Sequence, residues 1–221
     1  MSAEGAIFDV DGTLVDSVDL HARAWQEAFA YFGRRVSFEE VRAQIGKGGD
    51  QLMPVFFSQD DLARRGEAID SYRSDLYKRK YLKQVRPFPQ TRELFQAVLR
   101  RGVKIALASS AKGDELQTYK QLARIDDLID AETSADDAER SKPHPDIFEA
   151  ALARLATHKS GTFAVGDTPW DAIAAHRLGV RCIGMLCGGF AERDLLEAGC
   201  IAIYRDPADL LARLDESPLG R

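Results

Sequence analysis

The sequence has few of the residues that build disulfides or zinc centres. Its 221 residues include only three cysteines and four histidines. Cys182, Cys187 and Cys200 form no CxxC pair, and the histidines show no metal-ligand spacing. An odd number of cysteines without such a pair argues against a disulfide framework and against a structural zinc site. We therefore expect free thiols in a reducing compartment.

Long hydrophobic runs and an excess of basic charge are also missing. The longest apolar runs, such as residues 103–108, are far shorter than the ~20 residues of a membrane-spanning helix. The segment MSAEGAIFDV lacks the basic start of a signal peptide, which favours the cytoplasm. Thirty basic against 35 acidic side chains give a net charge of −5, which argues against nucleic-acid binding. We expect neither a membrane nor a nucleic acid as partner, so local groups must hold any anionic ligand.

Short apolar segments alternate with helical patterns over much of the chain. The apolar segments are typical of buried strands and lie at residues 6–10, 103–108, 162–165, 181–186 and 200–204. The helical patterns between them have glycine or proline at their ends and lie at residues 91–101, 145–155 and 170–178. This alternation predicts an α/β fold, a doubly wound parallel sheet with helices on both faces. In such a sheet, ligands bind beyond the carboxyl ends of the strands.

The segment from residue 16 to residue 84 breaks the alternation, because it shows only helical periodicity. Ser37 and Glu40 form a capping box for one helix, and residues 60–83 are long, charged and amphipathic. We therefore predict a helical cap domain, residues 16–84, inserted into an α/β core made of residues 1–15 and 85–221. Hinges near its two ends would let the cap open and close over the strand ends.

Two carboxylates follow the first predicted strand, in FDVDGTL at residues 8–14. In an extended chain the side chains of Asp9 and Asp11 project to the same side, so their charges repel unless a cation or a shared proton intervenes. Mg²⁺ prefers oxygen ligands and meets that demand. A turn carrying a solvated pair of acids is the alternative explanation.

Three further segments place polar groups near the ends of predicted strands. Ser109 and Ser110 follow residues 103–108, Lys142 lies in SKPHPD, and Asp167 and Asp171 lie in VGDTPWD. Each has an ordinary structural explanation: a helix cap for the serines and for Asp167, and a solvated side chain for Lys142. Together, however, the four segments carry in order the groups that phosphoryl transfer requires.

The four segments resemble the sequence motifs of the haloacid dehalogenase (HAD) hydrolase superfamily. These motifs are DxDGT, a serine after a hydrophobic strand, a lysine before proline, and GDxxxD. The resemblance covers essentially the whole chain, since residues 16–84 look like the superfamily's helical cap. It implies that Asp9 is a nucleophile that forms an aspartyl-phosphate. It also implies that Asp11 first protonates the leaving oxygen and then accepts a proton from the attacking water.

The same resemblance implies the other site residues. It implies Mg²⁺ as cofactor, held by the carboxylate of Asp9, the backbone carbonyl of Asp11, and Asp167. It implies that Asp171 either supports the metal's waters or pairs with Lys142. The phosphoryl oxygens would be bound by Ser109 and by the backbone N–H of Ser110, while Lys142 balances charge and Thr13 orients the loop beside the substrate.

Within the superfamily, two stretches are similar to β-phosphoglucomutases: HARAW at residues 21–25 and IALASSAK at residues 105–112. The similarity implies that His21 helps to gate the general acid, although a solvent-facing histidine on a helix is an equally good interpretation. The loop IGKGGD at residues 45–50 lacks the arginine that grips a second phosphate in those mutases. Lys47 would replace it only as a point charge. Gly46 and Lys47 either contact substrate or belong to a flexible connector.

The sequence therefore predicts a Mg²⁺-dependent phosphatase that hydrolyses a small soluble phosphomonoester, either a sugar phosphate or a phosphoglycolate-like acid. A phosphotransferase of the β-phosphoglucomutase kind is the alternative, and a binding module without turnover is the alternative of another class. We expect a monomer or a weak homo-oligomer. Residues 187–221 are expected to complete the core with a last strand and helix and to carry no chemistry.

Overall fold

The computed structural model describes residues 3–220 and confirms the α/β fold class. The strands are β1 (Gly5–Phe8), β2 (Val15–Asp16), β3 (Arg86–Pro87), β4 (Lys104–Ala108), β5 (Ala131–Thr133), β6 (Thr162–Gly166), β7 (Arg181–Met185) and β8 (Cys200–Tyr204). Six of them form one parallel sheet in the order β5–β4–β1–β6–β7–β8. The chain adds β4 and β5 on one side of β1 and the later strands on the other, which creates a crevice at the carboxyl end of β1.

Ten α-helices lie within residues 3–220. They are α1 (Val18–Tyr31), α2 (Phe38–Arg42), α3 (Gly49–Leu52), α4 (Gln59–Leu76), α5 (Thr91–Leu99), α6 (Gly113–Ala123), α7 (Asp146–Leu155), α8 (Pro169–Leu178), α9 (Glu192–Glu197) and α10 (Pro207–Ala212). One π-helical turn (Tyr77–Tyr81) follows α4, and the 3-10 turns are Met53–Val55, Leu82–Gln84, Asp126–Leu128, Ala135–Asp137, Lys159–Gly161 and Leu214–Glu216. None of the helices in this part of the chain is long and apolar enough to cross a membrane.

Apolar side chains cover both faces of the sheet because successive residues of a strand point to opposite faces. Phe8 of β1 packs on Phe95 of α5, with 4.8 Å between the ring centroids. Its neighbour Ile7 belongs to a second buried cluster that includes Phe148 of α7. Helices therefore pack on both faces, as the sequence predicts for a doubly wound sheet.

Between β2 and β3 the chain forms α1 to α4 and the turns that follow them; we call residues 18–84 the helical insert. Its helices surround an apolar cluster that includes Trp25, Phe29 and Ile69. The predicted capping box of Ser37 and Glu40 is present at the start of α2. The division into core and cap domains, and the hinges between them, stay predictions.

The sequence did not predict the three shortest strands. β5 is a three-residue edge strand with half-buried Ala131 and Glu132, so it gives no apolar run. β2 and β3 are two residues each and pair antiparallel, with Val15 opposite Pro87. They hold together the two points where the chain enters and leaves the helical insert.

Candidate active site

Three parallel strands deliver the polar motifs to one edge of the sheet. Phe8 of β1 lies opposite Leu107 of β4 and Val165 of β6. The residues just beyond these strands therefore lie at the same level. Asp9 follows β1, Ser109 and Ser110 follow β4, and Asp167 follows β6.

A buried lysine contacts two of the carboxylates at this edge. Lys142 is 1% exposed; its Nζ contacts Asp9 Oδ1 and lies 2.8 Å from Asp171 Oδ1. Burial alone would lower the pKa of Lys142, but the charges of Asp171 and Asp9 raise it above its ordinary value. The lysine is therefore a permanent cation inside the site.

The hydrogen bonds of Asp171 also show which residue is the N-cap of α8. Thr168 Oγ1 and the Thr168 backbone N–H donate to Asp171 Oδ2 at 2.6 and 3.1 Å. Thr168 is the N-cap, with Asp171 as its capping-box partner. Asp167 is thus not the helix cap, which was the ordinary explanation for it.

One carboxylate oxygen of Asp167 has no hydrogen-bond donor within residues 3–220. Thr13 Oγ1 donates to its Oδ1 at 2.8 Å, whereas its Oδ2 is buried and accepts from no residue in the described part of the chain. Burial, together with the charges of Asp9 and Asp171, raises the pKa of Asp167 well above its usual value. Burial outweighs the opposing charge of Lys142 and raises the pKa of Asp9 to about 7.

These acids fit a divalent cation. Ligand oxygens of Asp9, Asp167 and Asp171 all lie within 4.8 Å of one another. One lysine cannot neutralise three carboxylates, and a buried oxygen without a partner is costly. A hard cation with oxygen ligands would remove both problems.

Asp11 lies beside this cluster and is held by Ser17 and by His21 of the helical insert. Its Oδ1 accepts from Ser17 Oγ at 2.6 Å and lies 2.9 Å from His21 Nε2. Burial would raise the pKa of Asp11, but the charge and hydrogen bond of His21 and the hydroxyl of Ser17 outweigh it and lower this pKa. His21 itself is buried, stacks on Tyr77 with 3.9 Å between ring centroids and lies 3.2 Å from Tyr119 Oη. The solvent-facing interpretation of His21 is therefore wrong.

The two serines after β4 have different environments. Ser109 is fully buried, and its Oγ accepts from the backbone N–H of Ala111 at 3.0 Å. Ser110 is half-buried and lines a cavity. Helix α6 begins at Gly113 with Lys112 as its N-cap, so neither serine is the helix cap that the ordinary explanation requires.

The cavity has a volume of about 120 Å³ and lies between the strand ends and the helical insert. Asp9, Asp11 and His21 line it, whereas the buried residues Thr13, Ser109, Lys142 and Asp167 do not. The other lining residues are Trp25, Ile45, Gly46, Lys47, Gly48, Gly49, Asp70, Arg73, Ser110, Ala111, Lys112, Glu115, Ala135 and Ser141.

The loop before α3 reaches the core closely. Gly46 has φ +101°, and a Cβ there would lie 2.6 Å from Thr168 Cγ2; only glycine fits both constraints. Lys47 donates to Gln44 Oε1 at 2.6 Å, and its Nζ lies 4.0 Å from the ring centroid of Trp170. These contacts use one N–H donor of the Lys47 ammonium and place the charge against the Trp170 ring.

Comparison with known proteins identifies the family. A model described as haloacid dehalogenase-like hydrolase matches residues 6–185, a span that holds every acid of the site. The chain belongs to this family. It is 30% identical over 189 residues to a phosphoglycolate phosphatase of Yersinia pestis, covering 83% of this chain and 81% of that protein. It is 24% identical over 181 residues to the pyrophosphatase PpaX of Oceanobacillus iheyensis, covering 82% of each.

A solved structure agrees with the family assignment. The crystal structure of a hydrolase from Pseudomonas syringae superposes with a TM-score of 0.89 at 29% identity, covering 96% of this chain and 98% of that one. The superposition therefore covers nearly all of this HAD-family chain, helical insert included.

The sequence did not predict several residues that lie at this HAD-family site. Residues 187–221 were expected to carry no chemistry, yet a Cβ on Gly188 would lie 1.7 Å from Asp167 Oδ2. Tyr119 donates to or accepts from Tyr77 at 2.6 Å and lies next to His21. Both tyrosines sit in amphipathic helical patterns, where an aromatic residue is ordinarily part of the core. Only the tertiary structure brings them to the acid.

Proposed function

We propose that this HAD-family enzyme is a Mg²⁺-dependent phosphatase that hydrolyses a small soluble phosphomonoester through an aspartyl-phosphate on Asp9. The observation that carries the proposal is a buried carboxylate, Asp9, held by Lys142 and lining a cavity that Asp11 also lines. The two named relatives act on phosphorus compounds, which supports the same chemistry.

In the first step a carboxylate oxygen of Asp9 attacks phosphorus. The Asp9 O–P bond forms, the ester P–O bond breaks, and Asp11 gives its proton to the leaving oxygen. His21 and Ser17 favour the ionised form of Asp11, so Asp11 has to take up a proton from solvent before this step. A phosphate dianion bound beside it raises its pKa and favours that gain.

In the second step a water molecule attacks the phosphorus of the aspartyl-phosphate. Asp11, now ionised, accepts the water's proton, the Asp9 O–P bond breaks, and inorganic phosphate leaves. The contacts with His21 and Ser17 keep Asp11 ionised, so that it is able to accept this proton. Asp9 returns to its ionised form beside Lys142.

Mg²⁺ would be held by the Asp9 carboxylate, the Asp11 carbonyl and Asp167, whose free Oδ2 fits the role of a ligand. When bound, it would draw negative charge from the phosphoryl oxygens. Lys142 keeps the Asp9 carboxylate oriented. Ser109 Oγ–H and the Ser110 backbone N–H would donate to the phosphoryl oxygens.

Hydrolysis fits the cavity better than phosphoryl transfer between two positions of a sugar. A mutase must hold a second phosphate, but Lys47 offers only a point charge, which already contacts Gln44 and Trp170. Of the other lining cations, Arg73 and Lys112 both pair with Asp70. A module without turnover would not need the nucleophile, acid and cation that this site keeps together.

The test is phosphate release from a panel of small phosphomonoesters, measured with Mg²⁺ and with a chelator. We expect release that falls at least about 100-fold with the chelator, and no net transfer of phosphate from a hexose bisphosphate to a second hexose phosphate. Release that persists in chelator would contradict the metal assignment. Transfer without release would favour the mutase, and inactivity on every ester would favour the module without turnover.

Substituting Gly188 tests the metal ligand directly. In Gly188→Ala the new Cβ collides with Asp167 Oδ2 at 1.7 Å, so the carboxylate must move. We expect Mg²⁺ affinity to fall about 10- to 100-fold, measured by isothermal titration calorimetry. The control is Gly113→Ala, where a Cβ meets no atom within 4 Å. Equal Mg²⁺ affinity in the two variants would exclude Asp167 as a ligand.

A further inference from the structure

One buried acid in the cavity plays no part in the proposed reaction. Glu115 lies in the first turn of α6, is 2% exposed and lines the cavity. Within residues 3–220, no group donates a hydrogen bond to its carboxylate and no cation lies within ion-pair distance of it. The hydrogen-bonding capacity of this carboxylate is therefore free for a ligand in the cavity.

The neighbouring wall of the cavity has balanced charge. Asp70 Oδ1 lies 3.4 Å from Arg73 Nη2, and Asp70 Oδ2 lies 3.6 Å from Lys112 Nζ. The guanidinium of Arg73 also lies 4.7 Å from the ring centroid of Trp25. The two cations of this wall are offset by Asp70 and Glu115, so the wall offers both donors and an acceptor without net charge.

This balance distinguishes between classes of substrate. A second carboxylate on the substrate, as in phosphoglycolate, would lie beside the unpaired charge of Glu115, while Arg73 and Lys112 are already paired with Asp70. An ammonium group would pair with Glu115 but would add a third positive charge beside Arg73 and Lys112. A hydroxyl can donate to Glu115 and accept from a neighbouring N–H, so it satisfies both kinds of group.

We propose that Glu115 is a specificity-determining residue that accepts a hydrogen bond from a substrate hydroxyl, and that the substrate is a phosphorylated polyol or sugar rather than a phosphorylated carboxylic acid. The inference rests on the proposed phosphatase function. Burial and the charge of Asp11 raise the pKa of Glu115. The charges of His21, Arg73 and Lys78 oppose this rise but do not cancel it. The raised pKa agrees with a carboxylate that lacks its partner until substrate binds.

The test compares kcat/KM for glycerol phosphate and glucose 6-phosphate with kcat/KM for phosphoglycolate and phosphoethanolamine. p-Nitrophenyl phosphate, which has no hydroxyl on its leaving group, reports the Asp9 chemistry alone. We expect the hydroxylated esters to be preferred. In Glu115→Ala their kcat/KM should fall about 10- to 100-fold, the loss expected for a hydrogen bond to a charged group, while p-nitrophenyl phosphate is unaffected.

Two variants separate recognition from folding. Glu115→Gln keeps an accepting oxygen and the side-chain volume, so we expect a smaller loss on the hydroxylated esters than in Glu115→Ala. Glu192→Ala removes an exposed acid from the first turn of α9 and should change nothing. Thermal unfolding of each variant checks that a lower kcat/KM is not caused by loss of folded protein.

The outcomes are distinct. An equal fall on all substrates, including p-nitrophenyl phosphate, would give Glu115 a structural role and overturn the inference. Preference for phosphoglycolate or phosphoethanolamine in the native protein would overturn the hydroxyl assignment and leave the phosphatase intact. No release from p-nitrophenyl phosphate or any other ester would overturn the proposed function and this inference with it.

Discussion

The Asp9→Asn variant is expected to lose phosphate release by at least about 10³-fold at saturating Mg²⁺. An amide has nearly the shape of a carboxylate but cannot attack phosphorus, so substrate can still bind while the first step stops. Asp9 is 4% exposed and fixed by Lys142, so no neighbouring acid can take its place without a rearrangement. The measurement is phosphate release over time on the best ester of the panel.

Acid quenching during turnover with a ³²P-labelled ester checks the intermediate itself. Label should remain on the native protein and be absent from Asp9→Asn. Asp16→Asn is the control, because Asp16 is an exposed acid of β2 and should leave both label and release unchanged. Undiminished release from Asp9→Asn would show that another group is the nucleophile.

Much of the fold could be predicted because β1 and β6 are buried throughout, and β4 and β7 at all but their first residue, so that they form apolar runs in the sequence. β8, at Cys200–Tyr204, has the same bounds as its predicted segment. β4, β6 and β7 differ from their predicted segments by one residue at one end. The short strands gave no such signal, because pairing and not hydrophobicity defines them. Val15 and Pro87 lie far apart in the sequence and pair where the chain enters and leaves residues 18–84.

The order of the motifs predicted which polar residues meet, but not how each would be used. The lysine and serine motifs alone do not show that Lys142 is fully buried or that Ser109 lies behind the cavity. His21 was ambiguous because helical periodicity does not say whether a face turns to water or to a neighbouring domain. Glu115 could not have been found, because an acid in the first turn of a helix is ordinarily explained by the helix dipole.

The Lys142→Met variant is expected to lose activity and about 3–5 kcal/mol of unfolding free energy in chelator, the cost of leaving buried carboxylates without their cation. Asp9, Asp167 and Asp171 are all at most 4% exposed, so solvent cannot replace the ammonium. Methionine has nearly the length of lysine and limits the packing change. Urea denaturation measures the loss, and phosphate release measures activity.

Lys120→Met is the matched control, because Lys120 is also buried and also lies near two carboxylates. Its partners Asp126 and Glu132 are 44% and 43% exposed, so water solvates them when the lysine is removed, and the expected loss is no more than about 1 kcal/mol. The double variant Lys142→Met with Asp171→Asn should regain part of the stability, since it removes one unpaired charge, but none of the activity. Equal losses in the two lysine variants would show that burial of unpaired carboxylates is not what makes Lys142 necessary.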